Sequence, residues 1–226
     1  MIQGTETLSP AAREALLKTA EDLGLIEPRL RCAMPEFASS GLSKWASPNV
    51  TLSQSVRLHG LTPDEVAGVF ADACGAWNRV CGIKLAVVSP AGSMANIISK
   101  AGRIDGSSGT LAYSYLPGTP SPPTDQLSQM YDDAEGWTKR WLLEVVIHEI
   151  GHAIGLSHSP DRAAIMYPYA HGGNVTAPQS WDITEARARY GAPVPTPPTV
   201  PPATSPTIAG VISVGGVTYQ IQGVSG

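Results

Sequence analysis

Three of the chain's five histidines fall in one short stretch, HEIGHAIGLSH, from His148 to His158. His148 and His152 are four residues apart, so on a helix both imidazoles leave the same face, one turn apart. Two neutral imidazoles held this way can bind one zinc ion at about 2.0–2.1 Å each. Gly155 tolerates a positive φ and can end the helix abruptly, letting the chain swing His158 round as a third nitrogen ligand. Three protein ligands leave a fourth tetrahedral position for water, which is how a catalytic zinc differs from a closed structural one. Glu149, beside the first ligand, can take a proton from that water as it attacks a carbonyl. The plain alternative is a helix with satisfied surface histidines, and it leaves their spacing unexplained.

The elements that must hold these residues can be read along the chain. A helix from about Trp137 to Ile154 carries the first two histidines. Val145, Val146, Ile147 and Ile150 make it nearly apolar all round, which predicts a central, buried helix. A second helix opens at a capping box, Thr62, Pro63 and Glu65, and puts Val66, Val69, Phe70, Ala73, Ala76, Trp77 and Val80 on one face. Shorter helices are expected over Leu8 to Leu23 and over Ile183 to Tyr190, stopped by Gly24 and Gly191. Residues 50–58, 83–88, 95–99 and 110–116 read as strands. RLRCAMPEF, residues 29–37, has no clear period. The stretch between Pro117 and Trp137, rich in Pro, Ser, Gly and Asp, is expected to be mostly loop.

At 226 residues and 42% apolar, the chain suggests one medium domain with appendages. A net charge of −4 with pI about 5.7, and no basic patch, argues against a nucleic-acid partner. No run reaches the ~18 apolar residues of a membrane span. The start, MIQGTETLSP, has neither a basic region nor an apolar core, so no signal peptide is visible. Cys32, Cys74 and Cys81 are an odd number, which leaves one thiol free. For Cys74 and Cys81 the expectation is burial without a partner. After Gly191, PVPTPPTVPPATSPT reads as an extended, semi-rigid spacer. The tail IAGVISVGGVTYQIQGVSG alternates about Gly215-Gly216, as a β-hairpin would, and is too small to be stable alone.

The spacing HExxHxxGxxH is a known zinc-protease motif, and over roughly residues 28–191 the chain resembles the matrixins. These are the metzincin branch of zinc endopeptidases that includes the matrix metalloproteinases. Ser159 follows the third histidine, as in matrixins. AIMYP, residues 164–168, resembles the family's Met-turn, which would place Met166 as an apolar floor under the zinc. From the residues alone, Met166 is a gap-filling core methionine. Asp182 matches the aspartate that braces this turn from the last helix. GTLAYSYLPG resembles the rim strand of the cleft, so Leu111 and Ala112 would hydrogen-bond an extended substrate as an added antiparallel strand; an ordinary edge strand would look the same. Pro168 and Tyr169 would wall the main side-chain pocket, where Ala170 replaces the tyrosine of relatives.

Two metal expectations follow from the resemblance. Matrixins carry a second, structural zinc, but Tyr113 and Met130 stand where two of its histidines would be, and that zinc is expected to be absent. Asp105, in the DGSSG loop, with Asp132 and Glu135 keeps the carboxylates of a calcium site; a solvated acidic loop is the alternative. LRCAMPE, residues 30–36, resembles the cysteine switch of matrixin prodomains. Cys32 would then fill the open zinc position in a latent state, with Arg31 pairing Glu36. The alternative is a buried structural cysteine.

The expected fold is α+β, mixed α/β in character: a twisted mixed five-stranded sheet, a backing helix, a central active-site helix and a small C-terminal subdomain. The expected organisation is a pro-segment (1–37), a catalytic domain (38–191), a Pro-rich linker (192–207) and a hairpin-like tail (208–226). The resemblance implies a secreted or extracellular, monomeric endopeptidase acting on extended protein or peptide substrates, with Glu149 as general base. One rival is a catalytically silent, zinc-stabilised binding or structural module of a virion or surface assembly. Another is a metzincin of a different branch, against which Ser159 weighs.

Overall fold

The computed structural model describes residues 31–33, 43–88, 94–107, 109–118, 126–194 and 208–222. The helix expected over Leu8 to Leu23 and the partner expected for Arg31, Glu36, lie outside them. The chain divides into two compact units, residues 1–193 and 194–226.

In the first unit, helix α1 (Pro63–Val80) starts as its capping box dictates. The Thr62 hydroxyl accepts from Glu65 N at 3.2 Å, and Glu65 Oε2 accepts from Thr62 N at 2.9 Å. The face from Val66 to Trp77 is buried. It packs on α2 (Lys139–Ala153), where the Trp77 indole donates to Ile147 O at 2.9 Å. Helix α2 is capped by Thr138 and buried from Val145 through Ala153, as its apolar sequence predicts. Helix α3 (Ser180–Tyr190) begins three residues earlier than its apolar pattern suggested, because Asp182 accepts from Gln179 N at 2.7 Å and closes the first turn.

Strands β2 (Asn49–Gln54), β3 (Lys84–Val87), β4 (Ile97–Gly102), β5 (Thr110–Ser114) and β6 (Leu127–Asp132) form a mixed five-stranded sheet. Only β5 is antiparallel, to β6. A short strand β1 (Arg31–Ala33) adds a sixth at the outer side of β5, running parallel to it. β6 corrects the expectation of a loop between Pro117 and Trp137. Its inward residues are Leu127, Gln129 and Tyr131, and the polar Gln129 breaks the apolar alternation that marks a half-buried strand. That side chain is buried because it is satisfied: it accepts from Ser99 Oγ at 2.7 Å and donates to Ser114 Oγ at 3.2 Å. One amide thus ties β4, β6 and β5 together.

Cys74 and Cys81 are buried and unbridged. The second unit contains a hairpin, β7 (Ile208–Val214) and β8 (Val217–Gln222), turning at Gly215-Gly216. Both glycines have positive φ, 63° and 81°, the conformation that a two-residue hairpin turn of this kind requires.

Candidate active site

His148 and His152 lie on the buried side of α2, with ring centroids 4.7 Å apart. Their Nδ1 atoms face backbone carbonyls: His148 the oxygen of Ile165, His152 that of Leu156, both at 2.7 Å. A carbonyl can only accept, so each Nδ1 carries the proton and each neutral ring turns an unprotonated Nε2 inward. Those two Nε2 atoms are 3.0 Å apart. Two lone pairs this close repel unless a cation sits between them.

The chain leaves α2 at Gly155, whose φ is 101°. Gly155 N donates to His152 O at 2.8 Å, and Leu156 N to Gly151 O at 2.9 Å. This turn brings His158 back to 4.8 Å from the His152 ring and 5.4 Å from His148. His158 Nε2 is buried without a hydrogen-bond partner. The ligand atoms of the three histidines lie within 4.8 Å of one another. Burial, helped by the neighbouring imidazoles, pushes His148 down to about 3, and burial pushes His158 down to about 4. All three rings are therefore neutral, the form that binds a metal. Zinc fits this set: three imidazole nitrogens converge, their outer nitrogens are fixed by carbonyls where a carbonyl is present, and one inner nitrogen is left unpartnered.

Gly155 cannot be exchanged cheaply. A Cβ there would fall 1.9 Å from Ser43 O, on a backbone conformation that side chains disfavour. Gly155→Ala is expected to cost more than about 1 kcal/mol and to weaken zinc retention by displacing His158; thermal melting and metal analysis after dialysis would check both.

Glu149 is fully buried, and neither carboxylate oxygen has a hydrogen-bond partner. Burial pushes its carboxyl up to about 8, and the nearby Cys32 thiol works the other way. Cys32 Sγ, a His148 nitrogen and a Glu149 oxygen lie within 4.8 Å of one another. The thiol is close to the carboxylate without the geometry of a true bond to it. Burial first, then the Glu149 charge, holds the Cys32 thiol well above its ordinary value.

Met166 is buried against α2: a Cβ on Gly151 would fall 2.2 Å from its Sδ. Asp182 holds the turn beneath, accepting from Ile165 N at 2.9 Å and Met166 N at 3.1 Å. Because Ile165 also presents the carbonyl to His148, the Asp182 carboxylate reaches the first histidine through one residue.

Leu111 and Ala112 are buried on β5, and the outer side of that strand is taken by β1, with Cys32 opposite Ala112. On its other side Cys32 N donates to Pro168 O at 3.2 Å. The cysteine segment thus lies between the two expected walls of the cleft. Beside it is a small pocket lined by Cys32, Glu144, Val145, His148, Ile165, Tyr167, Tyr169 and Ala170. Glu144 and His171, which joins it, were not singled out from the sequence. The available signal was a charged residue four before His148, on the same face of an otherwise apolar helix.

The acidic loop is solvated in part, with Asp105 and Asp133 exposed. Asp132 is buried, and its Oδ2 accepts from Ile104, Asp105 and Gly106 N at 3.0–3.1 Å. Asp105 accepts from Thr110 N at 3.0 Å, and Glu135, also buried, accepts from Gly109 N at 3.4 Å. Tyr113 and Met130 are direct cross-strand neighbours, and the Tyr113 ring packs edge-on to Tyr115 at 6.1 Å.

A mixed sheet over a buried helix bearing two of three converging histidines, with a methionine turn packed on that helix, defines a metzincin-type metalloprotein. Residues 44–191 match the matrixin family profile. Rat macrophage metalloelastase is 31% identical over 198 residues, covering 78% of this chain and 41% of that protein. Matrix metalloproteinase-C of Caenorhabditis elegans is 32% identical over 193 residues, covering 72% and 32%. Pig interstitial collagenase is 32% identical over 191 residues, covering 76% and 39%. The chain belongs to the matrixin family. It spans less than half the length of these relatives. No described helix is long and apolar enough to cross a membrane.

Proposed function

We propose that this chain is a zinc-dependent endopeptidase, held latent by its own Cys32. The observation that carries the reading is the pair of facing Nε2 lone pairs at 3.0 Å, beside a buried, unpartnered carboxylate. When bound, zinc supplies a Lewis acid for the scissile carbonyl and lowers the pKa of water. His148, His152 and His158 hold it. Glu149 takes the proton of the attacking water and returns it to the leaving amine; its burial favours the protonated form it must pass through. Met166 and Asp182 keep the turn under the site in place.

The substrate is a protein or peptide in extended form, laid along Leu111 and Ala112 with Pro168 and Tyr169 opposite. The names of the relatives, an elastase and collagenases, fit protein substrates. β1 occupies this edge now and runs parallel to β5, opposite to the direction expected of a substrate. Residues 1–37 act as pro-segment and 38–191 as catalytic domain, with 192–207 as linker and 208–226 as tail. Secretion, as a monomer, is the setting that suits such an enzyme. In a peptide-library assay with zinc, the unaltered chain is expected to be silent and Cys32→Ser to cut; equal activity of the two would remove the latency claim.

A silent binding module is less well supported, because a purely structural zinc has no use for Glu149. One zinc per chain is expected by metal analysis, since Tyr113 and Met130 offer no ligand set for a second. Calcium in the 104–110 loop, on Asp105, Asp132 and Glu135, would raise the melting temperature reversibly to EGTA; an unchanged melting temperature would speak for the backbone N–H bonds as the loop's whole support.

A further inference from the structure

At the end of α2 the helix satisfies its own carbonyls for the last time: Ile150, Gly151 and His152 O accept from the N–H groups of Ile154, Leu156 and Gly155. The next three carbonyls each take a side-chain donor from elsewhere in the chain. Ala153 O accepts from the Trp45 indole at 2.8 Å, Ile154 O from the Tyr190 hydroxyl at 2.9 Å and Gly155 O from Arg189 Nε at 2.9 Å. The fourth, Leu156 O, is the one that fixes the His152 ring. The donors are themselves held. Trp45 N donates to the Tyr190 hydroxyl at 3.1 Å, and Arg189 Nη1 donates to Glu185 O and Oε2, both at 2.9 Å. Burial pushes the Tyr190 hydroxyl up to about 12, so it keeps the proton it shares with Ile154 O. The Arg189 side chain is 6% exposed, so its N–H groups depend on these protein acceptors rather than on water.

We propose that Arg189 is a positioning residue for the metal site: with Trp45 and Tyr190 it fixes the exit of α2, and through that exit His152 and His158. The positive φ of Gly155 makes the reversal, but a glycine is free to leave such a conformation. Arg189 closes the turn from outside, on the carbonyl of the reversing residue itself, and sets a cation where the end of a helix is negative. Leu156 follows directly, so a Gly155 peptide that turns away carries Leu156 O off His152 Nδ1 and draws His158 from the shared point. The partners that orient a ligand ring count for nearly as much as the ligand. The proposal rests on the zinc reading and deepens it.

The test uses the full chain with Cys32→Ser, so that no thiol makes up for a displaced imidazole. Chelator competition reads zinc affinity, and the visible absorption of the same chain loaded with cobalt(II) reads the ligand arrangement. Arg189→Met, which keeps the stem, should weaken zinc about tenfold or more, the usual cost of losing an outer partner of a ligand, and should alter the cobalt spectrum. Arg189→Lys should recover part of the loss. Arg187→Met is the control. Arg187 Nε makes a bond of the same kind, 2.7 Å to Val80 O at the end of α1, so its removal costs stability without reaching the histidines. An unchanged zinc affinity in Arg189→Met would overturn the proposal, and so would an equal loss in Arg187→Met. Should the Arg189 variant fail to fold, Tyr190→Phe, which removes only the hydroxyl, carries the same expectation and fails on the same result. A Cys32→Ser parent that takes up no zinc would overturn the zinc reading itself, before any variant is compared.

Discussion

Glu149→Ala, in a chain freed of Cys32, is expected to lower kcat by about 10²–10⁴-fold, the usual worth of a positioned acid-base group. Zinc content should be unchanged, because the carboxylate is no part of the three-histidine set. Folding should be unaffected or improved, since both Glu149 oxygens are buried without partners and their removal relieves a desolvation cost. That combination separates a catalytic group from a structural one: truncating a structural carboxylate lowers stability and activity together. Metal analysis, thermal melting and kcat on one peptide would decide it. Loss of zinc with the activity would instead make Glu149 part of the metal's support.

The largest loss of stability is expected at Asp182. Its carboxylate accepts from Ile165, Met166 and Gln179 N at 2.9, 3.1 and 2.7 Å, and the residue is fully buried. Asp182→Ala strands three donors away from water, each worth about 1–3 kcal/mol. A total of about 3 kcal/mol or more is a large part of the roughly 5–15 kcal/mol that holds a domain folded. The effect should extend to the metal, because Ile165 O orients the His148 ring. Asp182→Asn, which keeps an acceptor oxygen, should fall between. A chemical denaturation series on the three proteins would show it, and a cost for Ala no greater than for Asn would contradict the hydrogen-bond account.

The ligand cluster was legible in the sequence because its information is local. Four residues from His148 to His152 set a helical turn, and one glycine sets the reversal to His158. The cap of α1, the apolar face above it and the Gly-Gly hairpin were legible for the same reason. β6 was not, since Gln129 earns its burial from Ser99 and Ser114, which lie on two other strands. Glu144 was passed over because a single carboxylate in a helix reads as surface; only the return of the chain at His171 and Gly173 makes it an interior group. The carboxylates on and around the 104–110 loop could be picked out, but nothing in their spacing foretold that Asp132 would accept from three of the loop's backbone N–H groups while Asp105 and Glu135 accept from two others.

The three-residue pairing of Arg31–Ala33 with β5 is too short to bind tightly as a separate peptide. It does not need to. Tethered through the nine residues between Ala33 and Ser43, the cysteine segment meets the cleft at an effective concentration of order millimolar. If Cys32 holds the enzyme latent as proposed, even a weak plug would stay in place for as long as the chain is whole. One break in the tether replaces that local concentration with the far lower one of free solution, and the same contacts no longer suffice. Latency in this molecule would then be a matter of connectivity, undone once by cutting and not restored by dilution, washing or time.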